Sequence, residues 1–293
     1  MKQQIEEFAM HLKSVKKMPE NSYISYKSDL MKMADFMEKR GVTKANDVTV
    51  DGLQAYIREL SETNYATSSI IRQCTSIRSF FRYLVENGNI GENPAEDLKS
   101  PRHMKKNVRI LSDHEINSLL SQRFADNALG KRDRAILELM YATGLRASEL
   151  IDLKLSNIDL SLGCLRMDED RLIPYGNKAK EALGAYLLDA RKEMLKDSAE
   201  LDIENVFFNC NGSPMSRQGL WKLIKKYCIK AGIDKSITLG DLRHSFGVHL
   251  VENGADISTV QAMMGYTGAN SLTRYLSKTK ESKDPYNFAR LRN

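Results

Sequence analysis

The first 89 residues have the three- and four-residue spacing of apolar positions that is typical of amphipathic α-helices. Two series begin the pattern: Ile5, Phe8, Leu12 and Val15, and then Tyr26, Leu30, Met33, Phe36 and Met37. A third helix is predicted over 50–60 and a fourth over 68–86, where Asn87-Gly88 ends it. The pattern therefore predicts an all-α N-terminal domain.

Glycine and proline break this helical pattern shortly before residue 98. Gly91-Glu92-Asn93-Pro94 interrupts the apolar spacing, and Pro101 follows. A chain of 293 residues is also long for a single hydrophobic core. We therefore expect three parts: an N-terminal domain over 1–98, a linker over 99–109 and a second domain over 110–293.

Basic residues are concentrated in the predicted linker. Residues 101–109 carry four basic and no acidic side chains, whereas residues 1–100 carry 14 of each. The whole chain has a net charge of +6 and a pI near 9.0, which favours a polyanionic partner. Lys105, Lys106 and Arg109 are the linker's candidates for phosphate contacts. A short run of like charge is, however, often only a solvated surface.

Beyond the linker, helical spacing alternates with a short region of strand pattern. Ser112 can cap a helix whose third residue is Glu115. Residues 155–174 alternate around a turn at Gly163, which predicts a small antiparallel sheet. Helical spacing covers 130–142, 146–152, 178–196, 216–231, 241–253 and 257–264. The second domain is therefore expected to be mostly helical.

Composition excludes several classes of protein. No apolar run approaches the length of a membrane-spanning helix, and the amphipathic start at 1–7 is unlike a signal peptide. We therefore expect a cytoplasmic protein with no membrane partner. The cysteines are far apart, at Cys74, Cys164, Cys210 and Cys228. This spacing predicts reduced, mostly buried thiols and no metal site.

Four short segments of the second domain contain residue types that are suited to phosphate chemistry. They are 142–150, 242–250, 263–266 and 272–275. Each also has a plain structural explanation. Arg146 and Glu149, one helical turn apart, can form a surface ion pair worth only ~0.3–0.5 kcal/mol. Arg243 can be a solvated arginine, and Tyr266 and Tyr275 can be ordinary half-buried aromatics. The order and spacing of the segments are more informative than any one of them.

This ordered set resembles the tyrosine recombinases of the phage integrase family, and within it the bacterial Xer-like members. The matching pieces are T-G-L-R-A-S-E-L at 143–150, L-R-H-S-F at 242–246, E-N-G-A-D-I at 252–257, M-G-Y at 264–266, and Tyr275 nine residues later. R-I-L-S-D-H-E-I at 109–116 resembles the start of the family's catalytic domain. The resemblance implies an all-α, SAM-like core-binding domain followed by a mostly helical catalytic domain with a small antiparallel sheet.

The resemblance also implies an activity: site-specific breakage and rejoining of duplex DNA through a 3′-phosphotyrosyl intermediate, with no cofactor and no metal. Tyr275 would be the nucleophile, and Arg146 and Arg243 would bind the phosphate, since guanidinium groups stay charged and donate paired hydrogen bonds. Glu149 would orient Arg146. The main alternative is a catalytically silent DNA-binding relative, and a topoisomerase-like relaxing activity is a more distant one.

The sequence departs from the family pattern in three places. Gly240 replaces a usual histidine, and Tyr266 replaces a usual histidine or tryptophan, although its hydroxyl can still donate a hydrogen bond to phosphate. The sheet turn at 166–171 lacks the lysine that serves the family as general acid. Candidates for that role are Arg166, Arg171 and Lys178, but an arginine, with a pKa above ~12, is a poor proton donor. Losing a general acid costs ~10²–10⁴-fold, so either a slow enzyme or an inactive one is expected.

Candidates for DNA contacts follow from the same resemblance. The helix that opens at Ser216 resembles the family helix that enters a DNA groove, with Arg217 placed to read bases and Lys222 beside it. Arg72 and Arg78 of the fourth helix are the candidates in the N-terminal domain. The expected partners are duplex DNA with paired recombination sites and further copies of the chain, as a tetramer on DNA. The need for a second recombinase is left open.

Overall fold

The computed structural model describes residues 1–102, 109–168, 171–195 and 203–266. The chain forms two compact units, Met1–Lys106 and Asn107–Asn293. Each unit has a hydrophobic core of its own. The predicted boundaries at 98 and 109 remain predictions, because most of the basic stretch lies outside the described residues.

The described part of the first unit is built from helices. They are α1 (Lys2–Ser14), α2 (Glu20–Glu38), α3 (Val50–Glu62) and α4 (Thr67–Glu86). Phe8 of α1 packs edge-on against Phe80 of α4, with ring centres 5.6 Å apart, and buried Leu30 and Leu53 complete this part of the core. The predicted helices are confirmed. The placement of Val15 on the apolar face is wrong, because Val15 follows α1 and is 66% exposed.

The second unit is organised around one buried helix. Its helices are α5 (Asp113–Leu120), α6 (Ala128–Thr143), α7 (Ala147–Ile151), α8 (Asn177–Ala185), α9 (Arg191–Met194), α10 (Arg217–Lys230), α11 (Leu239–Glu252) and α12 (Ile257–Met263), and a π-helical turn (Tyr186–Ala190) joins α8 to α9. Helix α6 packs against α8 and α11, and Ile136, Leu139 and Met140 are buried there. Ser112 and Glu115 form the predicted capping box at the start of α5.

A small antiparallel sheet lies between α7 and α8, as predicted. Its strands, β1 (Ile158–Asp159), β2 (Cys164–Asp168) and β3 (Arg171–Pro174), pair in sequence order. Leu165 pairs with Ile173 and both are buried, which anchors the sheet in the core. Asp168 pairs directly with Arg171. Arg171 is thereby fixed at the start of β3.

Two other sequence-based expectations concern the thiols and the membrane. Cys74 and Cys228 are buried, but Cys164 is only partly buried and Cys210 is exposed. The prediction of mostly buried thiols is thus right for two of the four. Within the described ranges, every helix is too short or too polar to span a lipid bilayer.

Candidate active site

Gly144 shapes the connection between α6 and α7. Helix α6 ends at this residue with a φ of +58°, a left-handed conformation that favours glycine. A Cβ atom at Gly144 would lie 2.5 Å from the ring of Phe246, so close packing against α11 requires glycine as well. The turn buries Leu145 and makes Arg146 the residue that precedes α7, with 43% of its side chain exposed.

The Glu149 carboxylate is the centre of the site. Its Oε1 atom accepts hydrogen bonds from Arg146 Nη1 at 2.7 Å and from Arg171 Nη2 at 2.8 Å. Its Oε2 atom accepts a bond from the backbone N–H of Arg146 at 2.6 Å, and Arg243 Nη1 lies 3.7 Å away. Guanidinium groups from three separate segments therefore converge on one carboxylate.

Glu149 is held in its ionised form. Burial alone would raise the pKa of its carboxyl group. The hydrogen bond from the Arg146 backbone and the bond and charge of Arg171 outweigh burial and lower the pKa below its ordinary value. Among the described residues, three cations converge on this one buried anion, so positive charge is in excess. Exposed Asp168 approaches Arg171 Nη1 only at 4.0 Å. The arrangement therefore favours an incoming anion.

Arg243 is buried in α11 and is anchored by backbone carbonyl groups. Its Nη1 donates to the Gly144 carbonyl and its Nη2 to the Met264 carbonyl. Its guanidinium carbon lies 4.7 Å from the centre of the Tyr266 ring, a favourable cation–π distance. Burial lowers the pKa of Arg243, whereas neighbouring Tyr266 raises it. A guanidinium keeps its proton at neutral pH even so.

Arg171 lies in this site, although the sequence did not predict its contacts there. From the sequence, Arg171 is only one candidate to replace the missing lysine. Its side chain is only 14% exposed, and its Nε atom is buried without a hydrogen-bond partner in the described part of the chain. Gly265, with a φ of +63°, makes room for it. A Cβ atom at Gly265 would overlap Arg171 Nη1 and lie 3.1 Å from Arg146 Nη1. The glycine of the M-G-Y motif is therefore required by two arginines.

The two other candidates for the place of the lysine lie elsewhere. Arg166 forms an ion pair with Asp159 at 3.5 Å on the sheet. Lys178 lines a separate open cavity of about 500 Å³ together with Arg134 and Glu138. The described residues therefore bring one of the three candidates, Arg171, into the arginine cluster.

Tyr266 and Gly240, two of the departures from the family pattern, flank Arg243. The Tyr266 hydroxyl is buried and has no hydrogen-bond partner among the described residues. The His244 ring centre lies 6.3 Å from the Tyr266 ring centre, and His244 Nδ1 lies 2.6 Å from the Gly240 carbonyl oxygen. A Cβ atom at Gly240 would make only an ordinary contact, 3.4 Å from Thr238 Oγ1. Position 240 thus has room for a Cβ atom.

Several predicted site residues, Tyr275, Lys105 and Lys106, lie outside the described residues. Arg109, the described end of the basic stretch, is engaged within its own unit. Its Nη2 donates to Glu115 at 2.5 Å, and its Nη1 lies 3.9 Å from Asp234. A DNA contact by Arg109 would therefore compete with these ion pairs.

The candidate DNA-reading helix α10 begins with Ser216 as its cap, which accepts a bond from the Gly219 N–H at 3.0 Å. Arg217 and Lys222 are exposed and have no ion-pair partner in the described ranges. Lys225 instead donates to the backbone carbonyls of Lys235 and Ile237. Only part of the basic face is therefore free for a ligand.

The two N-terminal candidates already have partners inside their own unit. Arg72 Nη1 donates to Asp29 Oδ2 at 2.5 Å, and this contact opposes burial, which raises the pKa of Asp29. Arg78 Nη2 donates to the Leu98 carbonyl at 2.5 Å. Both arginines stabilise the packing around α4, and their contacts with DNA stay predictions.

Comparisons with known proteins agree with this architecture over both units. Residues 109–282 match the phage integrase family, and residues 5–88 match the phage integrase N-terminal SAM-like domain. The tyrosine recombinase XerD of Staphylococcus aureus is 35% identical over 280 residues, which cover 94% of this chain and 94% of that protein.

Solved structures of integrases share the fold. The Tn1549 transposon integrase, in complex with circular intermediate DNA, matches with a TM-score of 0.74 and 16% identity over 99% of this chain and 98% of that one. A lambda integrase dimer bound to a COC′ core site matches with a TM-score of 0.68 and 17% identity over 97% and 98%. By its sequence and its fold, this chain belongs to the phage integrase family of tyrosine recombinases.

Proposed function

We propose that the protein is a site-specific recombinase that breaks and rejoins duplex DNA through a 3′-phosphotyrosyl intermediate on Tyr275. The observation that carries the proposal is the convergence of Arg146, Arg171 and Arg243 on Glu149, in a chain that belongs to this family. Excess positive charge in a partly buried pocket suits a DNA phosphate. Rigid guanidinium groups suit its non-bridging oxygens in particular.

Tyr275 and two arginines carry out strand cleavage in this proposal. The Tyr275 oxygen forms a bond to phosphorus while the bond from phosphorus to the 5′ oxygen breaks. The phenol gives up one proton, and the 5′ oxygen takes up one as it leaves as a hydroxyl group. Arg146 and Arg243 hold the non-bridging oxygens, where charge increases in the pentavalent transition state. Rejoining is the reverse attack by a 5′-hydroxyl, and it restores the phosphodiester without an external energy source.

Glu149 and Tyr266 have supporting tasks in this scheme. Glu149 orients Arg146 through two hydrogen bonds, one to its backbone and one to its guanidinium. The Tyr266 hydroxyl has no hydrogen bond of good geometry to a described residue and lies close enough to Arg243 to raise the pKa of that residue, so we assign it a bond to the phosphate. No described lysine lies in the cluster. We therefore assign the slow protonation of the 5′ oxygen to water or to a group beyond the described residues.

Copies of the chain are also proposed to assemble on DNA. Lambda integrase, which shares the fold, has been solved as a dimer on a core site and as a tetramer on a Holliday junction. We propose that this chain likewise binds duplex DNA and pairs two recombination sites within a tetramer. Arg217 and Lys222 of α10, which are exposed and form no ion pair with a described residue, support the DNA-binding part of this proposal.

Trapping the covalent intermediate tests the proposal. On a duplex nicked close to the cleavage site, the short fragment that carries the 5′-hydroxyl diffuses away, so the adduct accumulates. The wild type should form a denaturant-resistant protein–DNA adduct, and Tyr275→Phe should bind the same duplex without forming it. Binding without an adduct in the wild type would favour the catalytically silent alternative instead.

A further inference from the structure

Helix α10 exposes the one tryptophan of the chain. Trp221 lies in the second turn of the helix, and 49% of its surface is accessible. The buried side of the helix is apolar and consists of Leu220, Leu223, Ile224, Tyr227 and Cys228. Trp221 lies at the edge of this apolar stripe, about 100° around the helix from Leu220. Packing in the domain core therefore covers only part of its ring.

The neighbours of Trp221 distinguish it from an isolated exposed aromatic residue, which would need no explanation. Arg217 and Gln218 precede it by four and three positions and share its face of α10, and Lys222, four positions after Gln218, extends this surface on the side of Gln218. All four are exposed. The helix contains no acidic residue from Arg217 to Lys230. The surface therefore combines cations, an amide and a large apolar ring.

Lys225 contacts the ring of Trp221. Its Nζ atom lies 5.4 Å from the centre of the Trp221 ring. The same Nζ donates to the carbonyls of Lys235 and Ile237, so this cation is held in place by the loop after α10. Lys225 thereby supports the tryptophan from within the domain, and Arg217 and Lys222 remain without ion pairs among the described residues.

We propose that Trp221 is a specificity-determining contact that packs on thymine methyl groups in the major groove. This inference rests on the proposed function, which makes α10 the DNA-reading helix. The chemistry of its neighbours fits the same groove, since arginine pairs with guanine, glutamine pairs with adenine, and apolar side chains contact the methyl group of thymine. An acid-free face also avoids repulsion by phosphate.

Intrinsic fluorescence gives a direct test, because Trp221 is the sole tryptophan. With excitation at the red edge, where tyrosine does not absorb, binding of a duplex selected from a random-sequence library should quench the emission and shield it from acrylamide. Retardation in a gel measures binding independently. A wild type that binds the duplex with unchanged emission would overturn the role of Trp221 and leave the proposed function standing. No binding at all would instead contradict the proposed function.

A variant cycle tests the thymine contact. Trp221→Ala should weaken binding to the selected duplex about 5- to 30-fold, as truncation of a central interface tryptophan does. Replacing thymine by deoxyuracil at one or two positions should weaken wild-type binding about fourfold for each buried methyl group lost, and it should have no further effect on Trp221→Ala. Additive losses would overturn the direct contact.

Two controls complete the design. Leu188 is 70% exposed on the π-helical turn of the same domain, so Leu188→Ala removes exposed apolar surface away from α10 and should leave binding unchanged. The second control is the emission of the protein without DNA. If that emission shifts to the blue as protein concentration rises, a second copy of the chain covers Trp221, and the DNA contact is wrong.

Discussion

Arg171 donates a 2.8 Å hydrogen bond from its Nη2 atom to the Oε1 atom of Glu149, the oxygen that also accepts from Arg146. In the proposed function Arg171 therefore acts on the phosphate through the carboxylate, as a positioning residue. We predict that Arg171→Ala lowers the single-turnover cleavage rate about 10- to 100-fold, the range typical of residues that orient a contacting group. Arg171→Lys should retain more activity, because it keeps the charge.

A double-mutant cycle separates positioning from general damage to the fold. If Arg171 acts through Arg146, removing it should cost nothing further in the Arg146→Ala background. Urea unfolding of each variant provides the control for stability. Independent, additive losses in the cycle would show that Arg171 works by another route.

Gly265 tests the packing around the same arginines. Gly265→Ala puts a Cβ atom against Arg171 Nη1 in a residue with positive φ, so it should displace Arg171 and reduce cleavage at least as much as Arg171→Ala does. Gly232→Ala is the matched control, because Gly232 has a φ of +72° with open space around it. Both changes should cost about 1–2 kcal/mol of unfolding free energy through left-handed strain. Equal cleavage by the two variants would contradict the packing argument.

Tyr266 allows a sharp separation of activity from stability. Tyr266→Phe removes a buried hydroxyl that has no described partner but keeps the ring beside Arg243. The unfolding free energy should therefore stay equal or rise, since an unsatisfied buried polar group is a cost. Cleavage should fall about 10- to 100-fold if the hydroxyl donates to the charged phosphate. A variant that is less stable and fully active would show that the hydroxyl has only a structural role.

The basic stretch before α5 gives a prediction about salt. Changing Lys105, Lys106 and Arg109 together to Ala should weaken binding to all duplexes alike. Each lost phosphate contact should reduce the slope of log affinity against log salt by ~0.9. The Lys105 and Lys106 pair should account for most of this change, because Arg109 already pairs with Glu115 and Asp234. An unchanged slope in the triple variant would remove the stretch from the DNA interface.

His249 gives a prediction about pH. Burial lowers its pKa below the ordinary value of 6.5, although the charge of Asp113 opposes this, and its Nδ1 atom lies 2.8 Å from the Tyr141 hydroxyl. Below pH 6.5, His249 is therefore protonated more readily in the unfolded chain than in the folded domain. Stability is complete above pH 6.5 and is lost as the pH falls toward the lower folded pKa, by at most about 1.4 kcal/mol per pH unit.

Urea midpoints between neutral and mildly acidic pH measure this effect. His249→Asn should flatten the acid loss relative to the wild type, whereas His114→Asn, which changes an exposed histidine of the same domain, should follow the wild type. Identical pH slopes for all three proteins would exclude His249 as the source.

The helices, the small sheet and the motif order could all be predicted because they depend on local patterns. The capping box of Ser112 with Glu115 shows this, since both partners lie within one turn. The partners of long cationic side chains could not be predicted. Arg171 contacts Glu149, which is 22 residues away in the sequence. The residues that neighbour Arg171 in the sequence do not specify that contact.

The same limit applied to the DNA-contact candidates. Arg72 is a predicted DNA contact as a residue of the fourth helix, but in the structure it forms an ion pair with Asp29 of another helix. Lys225, a basic residue of the predicted DNA-reading helix, likewise bonds to backbone carbonyls that follow its own helix. A flexible charged side chain takes the nearest unsatisfied group in space, and the identity of that group depends on tertiary packing.

The carbonyl anchors of Arg243 have a consequence for the energetics of binding. Its guanidinium is already held by Gly144 and Met264 when no DNA is present. The rotational entropy of this side chain is therefore lost when the domain folds, and DNA binding avoids a cost of about 0.5–1.5 kcal/mol for ordering it. Arg146 is more exposed, but its guanidinium is held in the same way, by Glu149 and by the Gly265 carbonyl. In the proposed function, both phosphate-binding guanidinium groups are therefore in place before DNA arrives, and neither has to be ordered by it.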